Sequence, residues 1–151
     1  KLTRKVREEL RQIVLQDAVA WAIGEASPAE IDQINILNAT YLAMHRALEA
    51  LHTQPEYLLI DGNRFRPYQA LPYSCIVKGD GKFLSIAAAS VLAKTYRDEL
   101  MSRLAEAHPH YGWEQNAGYP TKQHRKGIAA HGITEHHRQS FTLLPGQLEL
   151  L

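Results

Sequence analysis

Apolar residues recur every three or four positions over several stretches of the chain, which is the spacing of amphipathic helices. The pattern predicts a helix over residues 3–17 and a long helix over residues 85–107. One or two helices are expected over 28–52, because Ser27-Pro28-Ala29-Glu30 has the form of a capping box with proline at the first helical position. A shorter helix is expected around 121–131.

Three short segments between these helices have the pattern of strands. Residues 19–23 alternate apolar side chains with smaller ones, as a strand with one buried face does. Residues 57–60 and 74–77 are continuous apolar runs, which suit strands buried on both faces of a parallel sheet. Apolar strands placed between helices predict an α/β fold.

Composition excludes several classes of protein. A chain of 151 residues with 22% charged residues fits one globular domain rather than a disordered or fibrous one. The single cysteine, Cys75, excludes a disulfide framework and a zinc site built on several thiolates, and it suits a reducing compartment. No apolar run reaches the ~18 residues of a membrane span, and no signal peptide is present. We therefore expect a cytoplasmic protein that has no membrane partner.

The formal net charge of +1 hides an uneven distribution. Residues 1–16, 62–98 and 119–139 are locally basic, whereas residues 17–61 are strongly acidic. Basic segments that converge in the fold would make a phosphate-binding face, and the alternative is scattered solvated charge. Charge alone favours the second interpretation.

Two aspartates follow the continuous apolar runs. Asp61 ends the run 57–60, and Asp80 stands three residues after the run 74–77, behind Lys78-Gly79. Sites in α/β sheets gather beyond the carboxyl ends of strands, although Asp-Gly is a common turn, and for Asp61 taken alone the role of a turn residue is favoured. Two carboxylates sharing one site need a cation or a proton between them, and hard oxygen ligands select Mg²⁺ or Mn²⁺.

Three further features could contribute to a site. The turn Gly118–Lys122 presents an aromatic ring, a hydroxyl and a cation, and Tyr119 could stack on a base or pack on the core. Asp98 lies on a stripe of mostly small or apolar residues of the long helix, which favours a half-buried structural role over metal ligation. Six of the eight histidines fall within residues 108–137, where hydrogen-bonding roles are favoured over a zinc site.

Several segments, taken together and in order, resemble the ribonuclease HII family (type 2 ribonuclease H), most closely its bacterial branch. The matching segments run from residue 1 to about residue 141. They are Ser27–Asp32 with Ile34–Thr40, Leu59–Arg64, Val77–Asp80, Ala88–Lys94 with Arg97-Asp98, Gly118–Lys122, and His136–Phe141. Each motif is weak alone, and their ordered series is specific.

The resemblance implies a ribonuclease H-like fold, a mixed sheet flanked by helices, and an endoribonuclease that acts on RNA–DNA hybrids. It also implies cleavage on the 5′ side of single ribonucleotides embedded in DNA duplexes, leaving 3′-hydroxyl and 5′-phosphate ends, as ribonucleotide and RNA primer removal require. Two Mg²⁺ or Mn²⁺ ions would serve as cofactors, and we expect a monomer. The alternative from another class is a non-catalytic module that binds duplex nucleic acid.

The resemblance also implies roles for individual residues. Asp61 and Asp80 match two of the family's four metal-binding, catalytic carboxylates, and Tyr119 matches the tyrosine that stacks beside the ribonucleotide. Asp98 is not one of the four, in agreement with a structural role. Further residues are expected to neighbour the substrate or the carboxylates, and these are Asn63, Lys78, Lys94, Arg97, Thr121, Lys122 and Lys1.

The chain departs from the family pattern in two places. The Asp-Glu-x-Gly-Arg-Gly motif of the family's first strand, which carries the other two carboxylates, does not occur in the sequence. We therefore expect residues 1–141 to be a catalytic domain incomplete at its N-terminus, inactive alone, and followed by a tail over 142–151. The family's Ile-Ser-Ala-Ala-Ser reads Ile86–Ser90 with alanine at position 87, so one hydroxyl is lost.

Overall fold

The computed structural model describes residues 2–141 and 143–144, so most of the expected tail lies outside the described residues. The elements are α1 (Arg4–Asp17), α2 (Pro28–Glu49), β1 (Leu58–Asp61), β2 (Tyr73–Ile76), α3 (Leu84–Ala107), α4 (Trp113–Asn116) and α5 (Lys122–His131). A turn of 3₁₀ helix, Gly79–Gly81, stands between β2 and α3. Residues up to 25 with 40–95 form a first compact unit, and residues 26–39 with those from 96 onward form a second.

The predicted helices are confirmed, and their ends follow from local chemistry. Thr3 caps α1 by accepting a hydrogen bond from the backbone N–H of Val6. At the start of α2 the backbone N–H of Ser27 donates to the Glu30 carboxylate at 2.8 Å, and the N–H of Glu30 donates to the Ser27 hydroxyl. This is the reciprocal capping box that the sequence predicts. No helix among the described residues combines the length and apolar character that crossing a bilayer requires.

The two strands lie side by side in a parallel pair with Leu58 opposite Tyr73 and Asp61 opposite Ile76. Both apolar runs are therefore confirmed as strands, and the α/β class is confirmed. The expectation of strands buried on both faces is wrong, because Asp61, the last residue of β1, is exposed. The flanking Tyr57 and Val77 are also exposed. Within the described residues the sheet has these two parallel strands, so the mixed order implied by the resemblance is not seen.

The strand that the sequence predicts over residues 19–23 does not form. The segment is extended but has no strand partner in the described part of the chain. Val19 is 82% exposed and Trp21 is also exposed, so the alternating apolar face does not pack on a core. The segment is positioned instead at Gly24, where a Cβ atom would lie 2.0 Å from the carbonyl oxygen of Ala43. A close backbone contact with α2 takes the place of strand pairing.

The core of the first unit forms where α2 meets the sheet and the loop between its strands. Leu58, Phe65 and Tyr68 are buried there. His45 of α2 packs its ring against the rings of Phe65 and Tyr68, and its Nε2 atom lies 2.9 Å from the carbonyl oxygen of Arg66. The loop is thereby fastened to the helix, which supports β1 from one side.

The core of the second unit is built around Trp113, which is 2% exposed. Met101 of α3, Tyr111 and Ile128 of α5 pack in the same cluster. His108, His124, His136 and His137 surround the Tyr111 and Trp113 rings, with centroid separations of 4.9–6.5 Å. The structural role that the sequence favours for these histidines agrees with this packing.

Asp32 joins two distant segments of the second unit. Its carboxylate accepts hydrogen bonds from the backbone N–H groups of Gln139 and Ser140, and from the Ser140 hydroxyl. The Ser140 hydroxyl is the largest cause of the lowered pKa of Asp32, followed by the Ser140 N–H. Two of the sequence motifs, around residues 27–32 and 136–141, are thus held together by one carboxylate.

Replacing Gly24 with alanine is expected to destabilise the chain by about 2 kcal/mol, since the added Cβ would clash with the backbone of Ala43 and Ala47. Chemical denaturation measures the change in the free energy of unfolding. Gly81→Ala is the matched control, because nothing lies within 4 Å of a Cβ atom there. Equal effects of the two substitutions would show that the contact of Gly24 with α2 does not matter.

Candidate functional site

The two candidate aspartates lie at the same end of the parallel sheet. Asp61 is the last residue of β1, and Asp80 lies in the 3₁₀ turn that follows β2. The backbone N–H of Gly79 donates to Asp61 Oδ1 at 2.9 Å. Asp61 is therefore hydrogen-bonded to Gly79, the residue immediately before Asp80. This end of the sheet is where α/β folds collect their binding groups.

The turn that carries Asp80 has an unusual backbone. Lys78 has a positive φ of 56°, a conformation that costs a non-glycine residue of the order of 1 kcal/mol. Gly79 is buried, and a Cβ atom there would lie 2.5 Å from the Ile86 side chain. The turn directs the Gly79 N–H at Asp61, so the conformation of Lys78 serves the hydrogen bond that joins the two strand ends.

Other predicted residues of the first unit lie around this end of the sheet or on α3. Asn63 is exposed two residues after β1, next to Gly62, whose N–H extends the pairing of the strands by donating to Ile76. Lys94 Nζ donates to Ser90 Oγ at 2.6 Å on α3. The hydroxyl retained in the Ile86–Ser90 segment is thus a partner of Lys94, whereas position 87 has none to offer.

Asp61 and Asp80 are suited to bind a hard divalent cation through oxygen, but they are only two carboxylates. Among the described residues, no group of three or more Asp, Glu, His or Cys side chains is arranged to hold a metal ion. Mg²⁺ characteristically leans on one or two protein carboxylates and keeps waters and substrate phosphates as its other ligands. The donor chemistry therefore fits, while a site for two ions needs further ligands.

The Tyr119 loop of the second unit is fixed by Asn116, a residue that the sequence analysis missed. Asn116 is 8% exposed, its side-chain N–H₂ donates to the Tyr111 carbonyl at 2.8 Å, and its Oδ1 accepts from the Gly118 N–H at 2.8 Å. The Tyr119 N–H donates to the Asn116 carbonyl. The Tyr119 ring itself is 72% exposed. An exposed ring on a fixed backbone is available for stacking.

Arg97 and Thr121 have structural partners beside this loop. Arg97 donates to the Ala117 carbonyl at 3.1 Å, which holds the loop to α3. Thr121 is the N-cap of α5 and accepts from the His124 N–H at 3.2 Å. Lys122, the first residue of α5, is exposed. The sequence signal for such a loop is the Asn-Ala-Gly segment before Tyr119, where both Ala117 and Gly118 have positive φ.

The remaining predicted residues are placed as follows. Asp98 is half-buried on α3, and its backbone carbonyl accepts a hydrogen bond from the Ser102 hydroxyl. Lys1 lies outside the described residues. Asp61, Asn63, Lys78, Asp80 and Lys94 belong to the first unit, and Arg97, Tyr119, Thr121 and Lys122 belong to the second.

Two buried histidines under the Tyr119 loop have lowered pKa values. Burial is the largest cause for both His124 and His137, and the mutual repulsion of the two rings adds to it at His137. Their rings stack with a centroid separation of 5.2 Å. His137 Nδ1 lies 3.0 Å from the Thr134 N–H, which donates to it, whereas its buried Nε2 has no hydrogen-bond partner. The site's support in the second unit therefore depends on neutral histidines.

The family model of ribonuclease HII matches residues 1–144. The chain belongs to the ribonuclease HII family. It is 60% identical over 151 residues to the ribonuclease HII of Bacteroides fragilis strain YCH46, covering 99% of this chain and 75% of that protein. It is 58% identical to the ribonuclease HII of Cytophaga hutchinsonii, again covering 99% of this chain and 75% of that protein. The resemblance found in the sequence is thereby confirmed, and ribonuclease HII enzymes are endoribonucleases.

The fold agrees with that of a solved structure in another branch. The crystal structure of the ribonuclease H2 from Pyrococcus horikoshii matches with a TM-score of 0.74 at 22% sequence identity. The match covers 95% of this chain and 75% of that one. The ribonuclease H-like fold expected from the sequence is confirmed by this match.

The stability of this ribonuclease HII chain is expected to fall as the pH drops below about 6.5, the ordinary pKa of histidine. The unfolded chain binds protons at His124 and His137 in this range, whereas the folded chain with lowered pKa values does not. Thermal unfolding at pH 7.5 and pH 5.5 measures the difference. His137→Asn keeps an acceptor near the position of Nδ1 and cannot titrate, so it should reduce the pH dependence. An unchanged dependence in this variant would contradict the assignment.

Proposed function

We propose that this chain carries half of the metal-binding carboxylates of an endoribonuclease that cuts RNA–DNA hybrids and cuts on the 5′ side of single ribonucleotides in DNA. Membership of the ribonuclease HII family implies ribonuclease H activity on RNA–DNA hybrids with a divalent-metal requirement. The observation that carries the proposal is the hydrogen bond from the Gly79 N–H to Asp61, which joins the two carboxylate-bearing strand ends. Ribonucleotide and RNA primer removal are the processes that such a reaction serves.

Asp61 and Asp80 would hold the metal, and both are exposed at the end of the sheet where a phosphate can approach. Mg²⁺ or Mn²⁺ supplies an activated water and stabilises the leaving 3′-oxygen when it is bound. The protein's part is to hold Asp61 at a fixed position through the Gly79 N–H and to keep Lys78 and Asn63 beside the carboxylates as hydrogen-bond donors for substrate oxygens.

Tyr119 would recognise the substrate. Its exposed ring stands on a loop that Asn116 and Arg97 fix through the backbone, so little conformational entropy is lost when a base or sugar stacks on it. Thr121 and Lys122 follow after Pro120 and offer a hydroxyl and an ammonium group to a neighbouring phosphate. Duplexes with an embedded ribonucleotide are therefore the proposed substrate class.

We also infer that the 151 residues do not cleave on their own, because two carboxylates are too few for two ions. The chain spans 75% of the relatives' length. The Asp-Glu pair that the family carries on its first strand would complete the ligand set. Lys1, Lys94 and Arg97 remain proposed neighbours of the substrate, and Asp98 remains a proposed structural residue.

Asp61→Asn and Asp80→Asn in the full-length protein are each expected to lower cleavage of a duplex with one ribonucleotide by more than about 100-fold, because each removes a charged metal ligand. A gel assay across a Mg²⁺ and Mn²⁺ titration measures the rate. Asp98→Asn is the matched control and should retain most activity.

Near-normal, metal-dependent cleavage by either Asp61→Asn or Asp80→Asn would contradict the proposal. The non-catalytic alternative predicts duplex binding that weakens with salt and no dependence on the metal. Cleavage by the 151-residue chain itself would contradict the inference of an incomplete site.

Tyr119→Ala is expected to weaken binding of a duplex with one ribonucleotide by at least about fivefold, since stacking on an aromatic side chain contributes about 1–3 kcal/mol per base. Tyr119→Phe keeps the ring and should bind almost as the original chain does. Fluorescence anisotropy without divalent metal measures affinity separately from cleavage. Equal affinities of the alanine and phenylalanine variants would show that the ring does not contact the substrate.

A further inference from the structure

A pocket of about 430 Å³ opens on the exposed side of α5, and its lining residues include neither Tyr119 nor the two aspartates. We refer to it as the α5 pocket, and its polar lining consists of His110, Lys122, Gln123, Lys126 and His131. None of these residues except Lys122 takes part in the site described above. Every one of the five is exposed, so the pocket is open to a ligand from solvent.

The lining follows from the helical repeat of α5. Lys122 and Lys126 are four residues apart and therefore project from the same side, separated by about 6 Å along the axis. His131, the last residue of α5, projects from another side of the helix and lines the far edge of the pocket. The opposite side carries His124 and Ile128, both of which are buried in the core of the second unit. The helix is thus fixed by one side and presents a cationic surface with the other.

Gly127 brings His110 to this surface. A Cβ atom at Gly127 would lie 2.3 Å from the His110 carbonyl oxygen, so only glycine permits the backbone before Tyr111 to approach α5 so closely. As a result the His110 ring stacks on the His131 ring, with centroids 3.8 Å apart and planes 15° from parallel. Two imidazoles from different segments therefore form one wall of the pocket.

The charged side chains of the segment around α5 are all positive. Residues 115–134 contain three lysines and arginines and no aspartate or glutamate. The α5 pocket offers two ammonium groups, two imidazoles and an amide, which are hydrogen-bond donors for an oxyanion, and none of its lining residues is a carboxylate. An anion with several oxygens, such as a phosphate, is the ligand class that this lining fits.

We propose that the α5 pocket binds a backbone phosphate of the nucleic-acid duplex at a distance from the phosphate that is cut. The inference rests on the proposed function. Thr121 both follows Tyr119 and caps α5, so a strand whose base stacks on Tyr119 passes the start of this helix. The ten residues of α5 extend about 15 Å, which corresponds to about four base pairs at 3.4 Å each. The pocket therefore anchors the duplex within a few nucleotides of the ribonucleotide that stacks on Tyr119.

Lys126→Gln tests the proposal, with Arg125→Gln as the matched control. Both substitutions remove one positive charge from neighbouring exposed positions of α5, but Arg125 does not line the pocket. The affinity of the 151-residue chain for a duplex with one ribonucleotide is measured in EDTA between 50 and 200 mM salt. Losing one phosphate contact lowers the salt slope by about 0.9, so the loss of affinity over this range shrinks by about 3.5-fold.

Lys126→Gln is expected to show this change, and Arg125→Gln a smaller one. The ring proton signals of His110 and His131 should shift when duplex is added to the original chain, and shift less in Lys126→Gln. Equal salt slopes and equal affinities of the two variants would overturn the proposal. Inorganic phosphate could also shift the His110 and His131 signals while Lys126→Gln leaves the duplex affinity unchanged. That result would identify a site for free anions and would also overturn the proposal.

The same titrations separate this inference from the proposed function. Duplex binding that depends on Tyr119 but not on Lys126 would overturn the α5 pocket alone. Binding that depends on neither residue, or no binding of the duplex, would overturn both. Circular dichroism of each variant confirms that α5 remains folded, so a lost contact is not confused with a lost helix.

Discussion

The hydrogen bond from the Gly79 N–H to Asp61 is the contact on which the candidate metal site depends. It follows from the parallel register of β1 and β2 and the left-handed conformation of Lys78, and the end of the Ile86 side chain packs where a Cβ atom of Gly79 would lie. The left-handed conformation of Lys78 is a local cost of this arrangement. The strands and the start of α3 are therefore arranged around one carboxylate, and the position of Asp80 follows from that arrangement.

In the second unit, the neutral side chain of Asn116 and the Arg97 guanidinium hold the Tyr119 loop in place. An exposed aromatic ring can discriminate between ligands only when its backbone does not move, and buried Asn116 provides this by bonding to both sides of the loop. The Thr121 cap then starts α5 directly after the loop, and His124 and Ile128 fix that helix in the core. The recognition loop and the basic side of α5 are consequently held by the same core.

Local patterns in the sequence predicted the helices well, because the capping box at Ser27 and the apolar repeat of α3 are determined by residues a few positions apart. The prediction of a strand over residues 19–23 was wrong because a strand depends on a partner that is distant in the sequence. No partner pairs with this segment in the described residues, and Gly24 contacts a helix instead. The role of Asp32 was missed for the same reason, because its partners are also distant in the sequence. The donors that Asp32 accepts from lie 107 and 108 residues away. The hydrogen-bond partners of Asn116, which was also missed, lie only five and two residues away, at Tyr111 and Gly118.

The structure assigns the uneven charge along the chain to particular elements. The two carboxylates at the sheet end must be compensated by cations when a phosphate approaches, whereas α5 and its flanks carry only positive charge and can meet a phosphate without any ion. A nucleic-acid backbone carries one negative charge per nucleotide, so one ligand satisfies both requirements at different phosphates. Under these proposals, the phosphate at the carboxylates would be the one at which metal chemistry occurs, and a phosphate at α5 would only position the duplex. Under the proposed function, this division would let a chain with a net charge of +1 bind a polyanion and still keep two carboxylates for a metal ion.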